Sequence, residues 1–79
     1  MINIRIYNSP KKDKYVDLKM NSLDCCTTYP KQGWNITDDY GDGRVDLEWY
    51  DKKTDSWSML RSSVMMTFND DLGLYEIIL

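Results

Sequence analysis

The sequence contains no histidine. This absence removes Ser-His and Cys-His nucleophilic catalysis, histidine general-base chemistry and the commonest transition-metal ligand. Two carboxylates can still act as an acid and a base, as in glycosidases. A chain of 79 residues, however, has little depth in which to bury one acid and raise its pKa. We therefore expect a protein that is not an enzyme and has no catalytic residues, with a metal-independent hydrolase as a minor alternative.

Glycine-rich loops and long apolar runs are also missing. The four glycines, at positions 33, 41, 43 and 73, have the spacing of turns, and no Gly-Lys-Ser or Gly-Lys-Thr sequence indicates a phosphate-binding loop. No window approaches the roughly 20 apolar residues of a membrane span. The first residues alternate polar and apolar side chains, unlike a signal peptide. We expect a cytoplasmic protein with no cofactor and no membrane partner.

Cysteine is scarce, and its two copies, Cys25 and Cys26, are adjacent. A disulfide between neighbours closes a strained ring and does not link distant segments, so reduced thiols are expected. Reduced thiols fit an intracellular compartment. A soft-metal pair or a thiol switch is the alternative, but a zinc or copper site needs further Cys or His ligands. No metal site is predicted here.

Length and composition favour one small folded domain over residues 1–79. Hydrophobic residues make up 42% of the chain and aromatic residues 13%, which is enough for a single core. Alternation with a period of two recurs, and no window sustains the 3.6-residue apolar period of a helix. The predicted fold class is therefore mainly β. We expect a small antiparallel meander of five to seven short strands, curled into a barrel or a compact sandwich.

Individual strands follow from the alternation and from the turn signals between them. The apolar residues that alternate along these strands are Ile2, Ile4 and Ile6; Val16, Leu18 and Met20; Trp34 and Ile36; Val45, Leu47 and Trp49; Trp57 and Met59; Val64, Met66 and Phe68; and Tyr75, Ile77 and Leu79. One short helix near residues 22–29 is left open, because Asn21 or Ser22 can cap it while Thr27, Thr28 and Pro30 end it early.

Charge is distributed unevenly along the chain. Residues 38–55 contain seven acids and three cations, a net charge of minus four, whereas residues 1–37 carry plus three. The molecule should therefore be bipolar, a property that concerns partners and solubility and does not specify a fold.

The acidic segment also invites comparison with a calcium-binding EF-hand loop. Aligned on Gly43, the pattern fails at Tyr40, where an oxygen ligand belongs, and at Trp49, where the closing glutamate belongs. A weaker calcium site, or a glycan-binding module, remains a minor alternative. The simpler interpretation is a turn rich in Asp and Gly whose carboxylates accept hydrogen bonds from their own backbone amides.

Lysines near the first turn raise the question of nucleic-acid binding. Lys11, Lys12 and Lys14 lie close in sequence to Tyr7 and Tyr15, a mixture that single-strand-binding surfaces use. The pI of about 4.7 argues against it, since three lysines would have to overcome the repulsion of phosphates by the remaining acids. We predict no direct nucleic-acid partner.

The acidic segment is the best candidate for a functional surface. Asp46 and Glu48 alternate on one strand face about 6.6 Å apart, with loop acids at both ends, so together they form a negative ridge. Such a ridge can compete for the Lys and Arg side chains that normally hold phosphates, and its tyrosines can anchor the contact. The predicted partner-binding residues are Asp38, Asp39, Tyr40, Asp42, Asp46, Glu48, Tyr50, Asp51 and Asp55.

In small size and acidity, the chain resembles the inhibitors that bacteriophages encode against host nucleic-acid enzymes, anti-CRISPR proteins among them. The resemblance implies an anti-defence inhibitor that docks on the basic surface of a nucleic-acid-handling protein. The main alternative is a small β domain that forms a homodimer or joins a larger complex through an edge strand. In that case the acids only keep the surface soluble.

Overall fold

The computed structural model describes residues 2–20 and 30–79. In these ranges the chain forms six strands and no helix: β1 (Ile2–Tyr7), β2 (Tyr15–Met20), β3 (Gly33–Asp39), β4 (Arg44–Asp51), β5 (Ser56–Asn69) and β6 (Leu74–Ile78). They form one curled sheet with the shape of a half-barrel, which confirms the predicted β class and strand number. The short helix considered near residues 22–29 lies outside the described residues.

The sheet has the strand order β2-β1-β6-β5-β4-β3. β1 and β2 form one antiparallel hairpin, and β3 to β6 form an antiparallel meander. The two parts are joined by β1 and β6, which run parallel, with Ile4 opposite Tyr75 and Ile6 opposite Ile77. The sheet is thus mixed where the sequence predicted only antiparallel pairs. Alternation with a period of two is the same in both arrangements, so it does not encode the direction of a partner strand.

The core lies on the concave face of the sheet. Its fully buried side chains are Ile4, Ile6, Val45, Leu47 and Ile77. All five belong to the alternating apolar sets of the sequence, because alternate residues of a strand share one face. Among residues 2–20 and 30–79, no helix is long and apolar enough to cross a membrane.

β5 is the longest of the six strands and pairs with two neighbours in succession. Residues 56–65 pair with β4, whereas residues 66–69 pair with β6, so the first part of β5 extends beyond β6. The sequence predicted only short strands, and here the structure has one strand of 14 residues. Val45 pairs with Val64, Leu47 with Arg61 and Trp49 with Ser58, so β5 advances three residues for every two of β4.

Two β-bulges account for these register shifts. Each contains a non-glycine residue with positive φ, Met59 at 53° and Ser63 at 56°. Bulges increase the local twist and bend a strand, which is consistent with the curl of this sheet. The extra residues of β5 lie opposite Asp46 and Glu48, which point away from the core. The bulges therefore belong to the convex face.

Candidate protein-binding surface

The nine residues predicted from the sequence lie along β4 and in the turns at its two ends. Asp46, Glu48 and Tyr50 alternate with the core residues of β4 and share the convex face with Asp38, which pairs with Asp46. Tyr40 and Asp42 belong to the β3–β4 turn, and Asp55 to the β4–β5 turn. We call these seven residues the acidic face: Asp38, Tyr40, Asp42, Asp46, Glu48, Tyr50 and Asp55.

The two remaining predicted residues do not share this face. Asp39 pairs with Val45, and Asp51 has the same strand parity as Val45, so both side chains start from the core side of the sheet. Both accept local backbone hydrogen bonds, Asp39 from the amide of Gly41 at 3.0 Å and Asp51 from the amide of Lys53 at 3.0 Å. The simpler interpretation, that carboxylates cap their own turns, describes these two residues well.

Asp42 forms an ion pair inside the acidic face. Its Oδ2 lies 2.8 Å from Nη2 of Arg44, and the guanidinium of Arg44 lies 5.1 Å from the centre of the Tyr40 ring. The hydrogen bonds from Arg44 hold the pKa of Asp42 below its ordinary value. Arg44 thus neutralises part of the charge at this turn.

Asp46 has a structural role that the sequence did not predict. Its Oδ1 accepts hydrogen bonds from the backbone amide of Ser63 at 2.8 Å and from the hydroxyl of Tyr40 at 2.7 Å. The bond from Ser63 stabilises the bulge of β5, and the bond from the Tyr40 hydroxyl raises the pKa of Tyr40. Ser63 is 17 residues away in sequence, and no local pattern indicates this partner.

Asp38 and Glu48 are the acids with most freedom to meet a partner. Asp38 is exposed and Glu48 is half-buried. Within residues 2–20 and 30–79, neither carboxylate takes part in an ion pair or a side-chain hydrogen bond. Their charge is therefore not neutralised by a cation of the described residues.

Aromatic side chains lie at the other end of the acidic face. The hydroxyl of Tyr50 donates a hydrogen bond to Oδ1 of Asp55, which raises the pKa of Tyr50. The rings of Tyr50 and Trp57 are stacked, with centroids 5.1 Å apart and planes at 23°. Trp57 is 44% exposed, so much of its ring is in contact with solvent.

β5 adds an apolar row beside the acids. By their register, Trp57, Met59, Leu60 and Met65 lie on the convex face, and all four are exposed. A solvated face of an antiparallel sheet normally alternates to polar residues, so this composition is unusual. The alternation in the sequence places Trp57 and Met59 on one face of a strand without indicating which face. Both are exposed because Trp57 pairs with Tyr50 on the convex face, and because both have the opposite parity from the buried Met66 on the same continuous strand.

Among residues 2–20 and 30–79, no cluster of three or more Cys, Asp or Glu side chains is arranged to hold a metal ion. In the segment compared with a calcium loop, Asp42 is bound by Arg44 and Asp39 by a backbone amide, so these ligands are already engaged.

Comparison with known proteins does not extend this description. No protein-family model, no curated protein and no solved structure matches the chain. Fold and surface together define a small all-β half-barrel with an acidic, partly aromatic convex face.

Proposed function

We propose that this protein is a non-enzymatic protein-binding module, an inhibitor of the anti-defence type represented by anti-CRISPR proteins. Its acidic face docks on the basic surface with which a partner protein binds nucleic acid. Such partners work in the cytoplasm, and we propose the same compartment for this chain. The observation that carries the proposal is the convex face of β4, where Asp38 and Glu48 keep free carboxylates next to exposed aromatic side chains.

The composition of this face supports a protein partner. Interfaces are enriched in Tyr, Trp and Met, and their polar rims carry the charges. Here Trp57 and Met59 lie beside Glu48, so an apolar centre and a charged margin are adjacent. Carboxylates repel phosphates, which favours a partner that itself carries Lys and Arg over nucleic acid.

The ionisation of the tyrosine–carboxylate pairs supports a role without catalysis. Hydrogen bonding to Asp46 raises the pKa of Tyr40, and hydrogen bonding to Asp55 raises that of Tyr50. A general acid or base works best with a pKa near the operating pH, and these shifts move the tyrosines away from neutrality. The two hydrogen bonds fix the positions of these tyrosine side chains.

The experiment compares two charge-reversed variants of equal net charge. Immobilised wild-type protein is exposed to lysate of the cells in which the gene is expressed, next to Asp38→Lys/Glu48→Lys and to the control Asp70→Lys/Asp71→Lys in the β5–β6 turn. A nucleic-acid-binding protein should be retained by wild type and control and lost from the Asp38/Glu48 variant. The purified partner is then tested for release of labelled duplex DNA by the wild-type protein. Equal retention on both variants, or no release of DNA, contradicts the proposal.

The edges of the sheet favour assembly as a second candidate function. β2 and β3 are the edge strands. The backbone carbonyl of Lys14 accepts a hydrogen bond from the backbone amide of Asn8, so the backbone groups of Lys14 point towards β1. Successive residues of a strand direct these groups to opposite sides, so those of Asp17 and Lys19 point away from the sheet. Lys31 donates to the outward carbonyl of Lys19 at 3.4 Å, a partial cover of this edge. Sedimentation over a wide concentration range tests it: a shift above the 9.4 kDa monomer supports assembly, and a constant mass excludes it.

A further inference from the structure

Three tyrosines on the convex face have a cation of this chain over the ring and a carboxylate within the same group. Tyr15 lies 4.0 Å from the guanidinium of Arg5, Tyr40 lies 5.1 Å from that of Arg44, and Tyr7 lies 5.5 Å from the ammonium of Lys12. The accompanying carboxylates are Asp17 on Arg5 at 2.9 Å, Asp42 on Arg44 at 2.8 Å, and Glu76, which accepts from the Tyr7 hydroxyl at 2.6 Å.

The physical reason for this arrangement is the same in each group. The face of an aromatic ring attracts a cation, and a carboxylate beside the ring supplies the opposite charge. An arginine satisfies both at once, because its flat guanidinium stacks on the ring while its fork of N–H donors reaches the carboxylate. The sheet surface thus uses ring, cation and carboxylate as a repeated unit.

A fourth aromatic group has the ring and the carboxylate without the cation. Tyr50 and Trp57 are stacked, and Oδ1 of Asp55 accepts a hydrogen bond from the Tyr50 hydroxyl. The part of the Trp57 ring that Tyr50 does not cover is exposed to solvent. In the part of the chain that the structure describes, no Lys or Arg lies over either ring. Lys52 and Lys53 belong to the same turn, and their ammonium groups are not placed there.

We propose that the Trp57–Asp55 group binds an arginine side chain of the partner protein. The guanidinium stacks on the exposed part of the Trp57 ring, the negative charge of Asp55 in the same turn attracts it, and the aliphatic stem lies along the apolar row towards Met59. This inference deepens the proposed function and rests on it, since a nucleic-acid-binding surface offers arginines. A second copy of this chain fits less well, because an isologous contact through this face would place two acidic faces against each other.

The test uses two short amidated peptides of equal charge, an Arg-Gly repeat and a Lys-Gly repeat, titrated into the full chain. Nitrogen–proton correlation spectra follow the three indole N–H signals. The Trp57→Phe variant identifies the signal of Trp57 and keeps an aromatic face. We expect the arginine peptide to shift the Trp57 indole signal more than those of Trp34 and Trp49. Trp57→Ala should weaken its binding about threefold relative to Trp57→Phe, the size of an exposed cation–π contact.

The carboxylate is tested with a matched control. Asp55→Asn should weaken the arginine peptide by a similar factor, whereas Asp70→Asn, which removes the same charge from a distant turn, should not. If both peptides bind equally and Trp57→Ala has no effect, this inference is overturned. The proposed function still stands in that case, provided that Asp38→Lys/Glu48→Lys abolishes retention of the partner protein. Absence of binding by either peptide, together with no effect of that double variant on partner retention, overturns both. If the chain forms a dimer that Arg61→Ala dissociates, the arginine bound at Trp57 is Arg61 of a second copy, and the inference of a partner arginine is overturned.

Discussion

The positive φ angle of Met59 predicts an unusual order of stability for two small substitutions. An L residue in the left-handed region costs about 1–2 kcal/mol that glycine does not. Glycine loses about 0.5–1 kcal/mol through the greater entropy of its unfolded chain. The Met59→Gly variant should therefore be more stable than Met59→Ala by about 0.5–1 kcal/mol. Comparing Gly with Ala removes the loss of the methionine side chain from the difference.

Met65 is the control for this prediction. It lies on the same strand and face, is 59% exposed, and is not among the residues with positive φ. There Met65→Gly should be less stable than Met65→Ala by about 0.5–1 kcal/mol. Urea titrations measure the free energies, and melting temperatures should differ by about 4–8 °C per kcal/mol for a domain of this size. If alanine is the more stable residue at both positions, the bulge at Met59 is refuted.

Three further predictions concern the core, the bulge and ionisation. Leu47→Ala should cost about 2–5 kcal/mol, a large share of the total stability, and a loss below about 1 kcal/mol in urea titration would place Leu47 outside the core. Asp46→Ala should cost about 1–2 kcal/mol, since a backbone amide loses its acceptor, whereas Glu48→Ala should change little. Equal effects would refute the bulge contact. Hydrogen bonds from Tyr7 and Asn69 lower the pKa of Glu76. Its contribution to the free energy of unfolding is therefore present above its unfolded pKa and is lost as the pH falls through its folded pKa. Melting temperature should fall on acidification, less in Glu76→Gln, and an unchanged acid limb would contradict this.

Alternation predicted those parts of the fold in which each strand keeps one register. Ile4 and Ile6, and likewise Val45 and Leu47, are buried as expected, because a strand with one face on a core must place alternate apolar residues there. β5 is different. It is one continuous strand, so Trp57 and Met59 have the opposite parity from the buried Met66 and lie on the convex face, and its two bulges contain Met59 and Ser63 at positive φ, where no glycine indicates them.

The candidate site was predictable in its composition and not in its contacts. The excess of Asp between residues 38 and 55 is visible in the sequence. That Asp39 starts from the core side, however, depends on a shift in the pairing of β3 with β4. The bond from Ser63 to Asp46 and the stack of Trp57 on Tyr50 join different strands. Such contacts arise from strand register, which local patterns do not determine.

The central claim is that the acidic face binds a basic protein surface through its free carboxylates. The most direct measurement is the affinity of the wild-type protein for its purified partner across a series of salt concentrations, next to that of Asp38→Lys/Glu48→Lys. Exposed charges are screened over about 8 Å at physiological ionic strength. Wild-type affinity should therefore fall steeply with salt, and the variant should bind weakly at every concentration. A wild-type affinity independent of salt, or a variant that binds like wild type, would contradict the account.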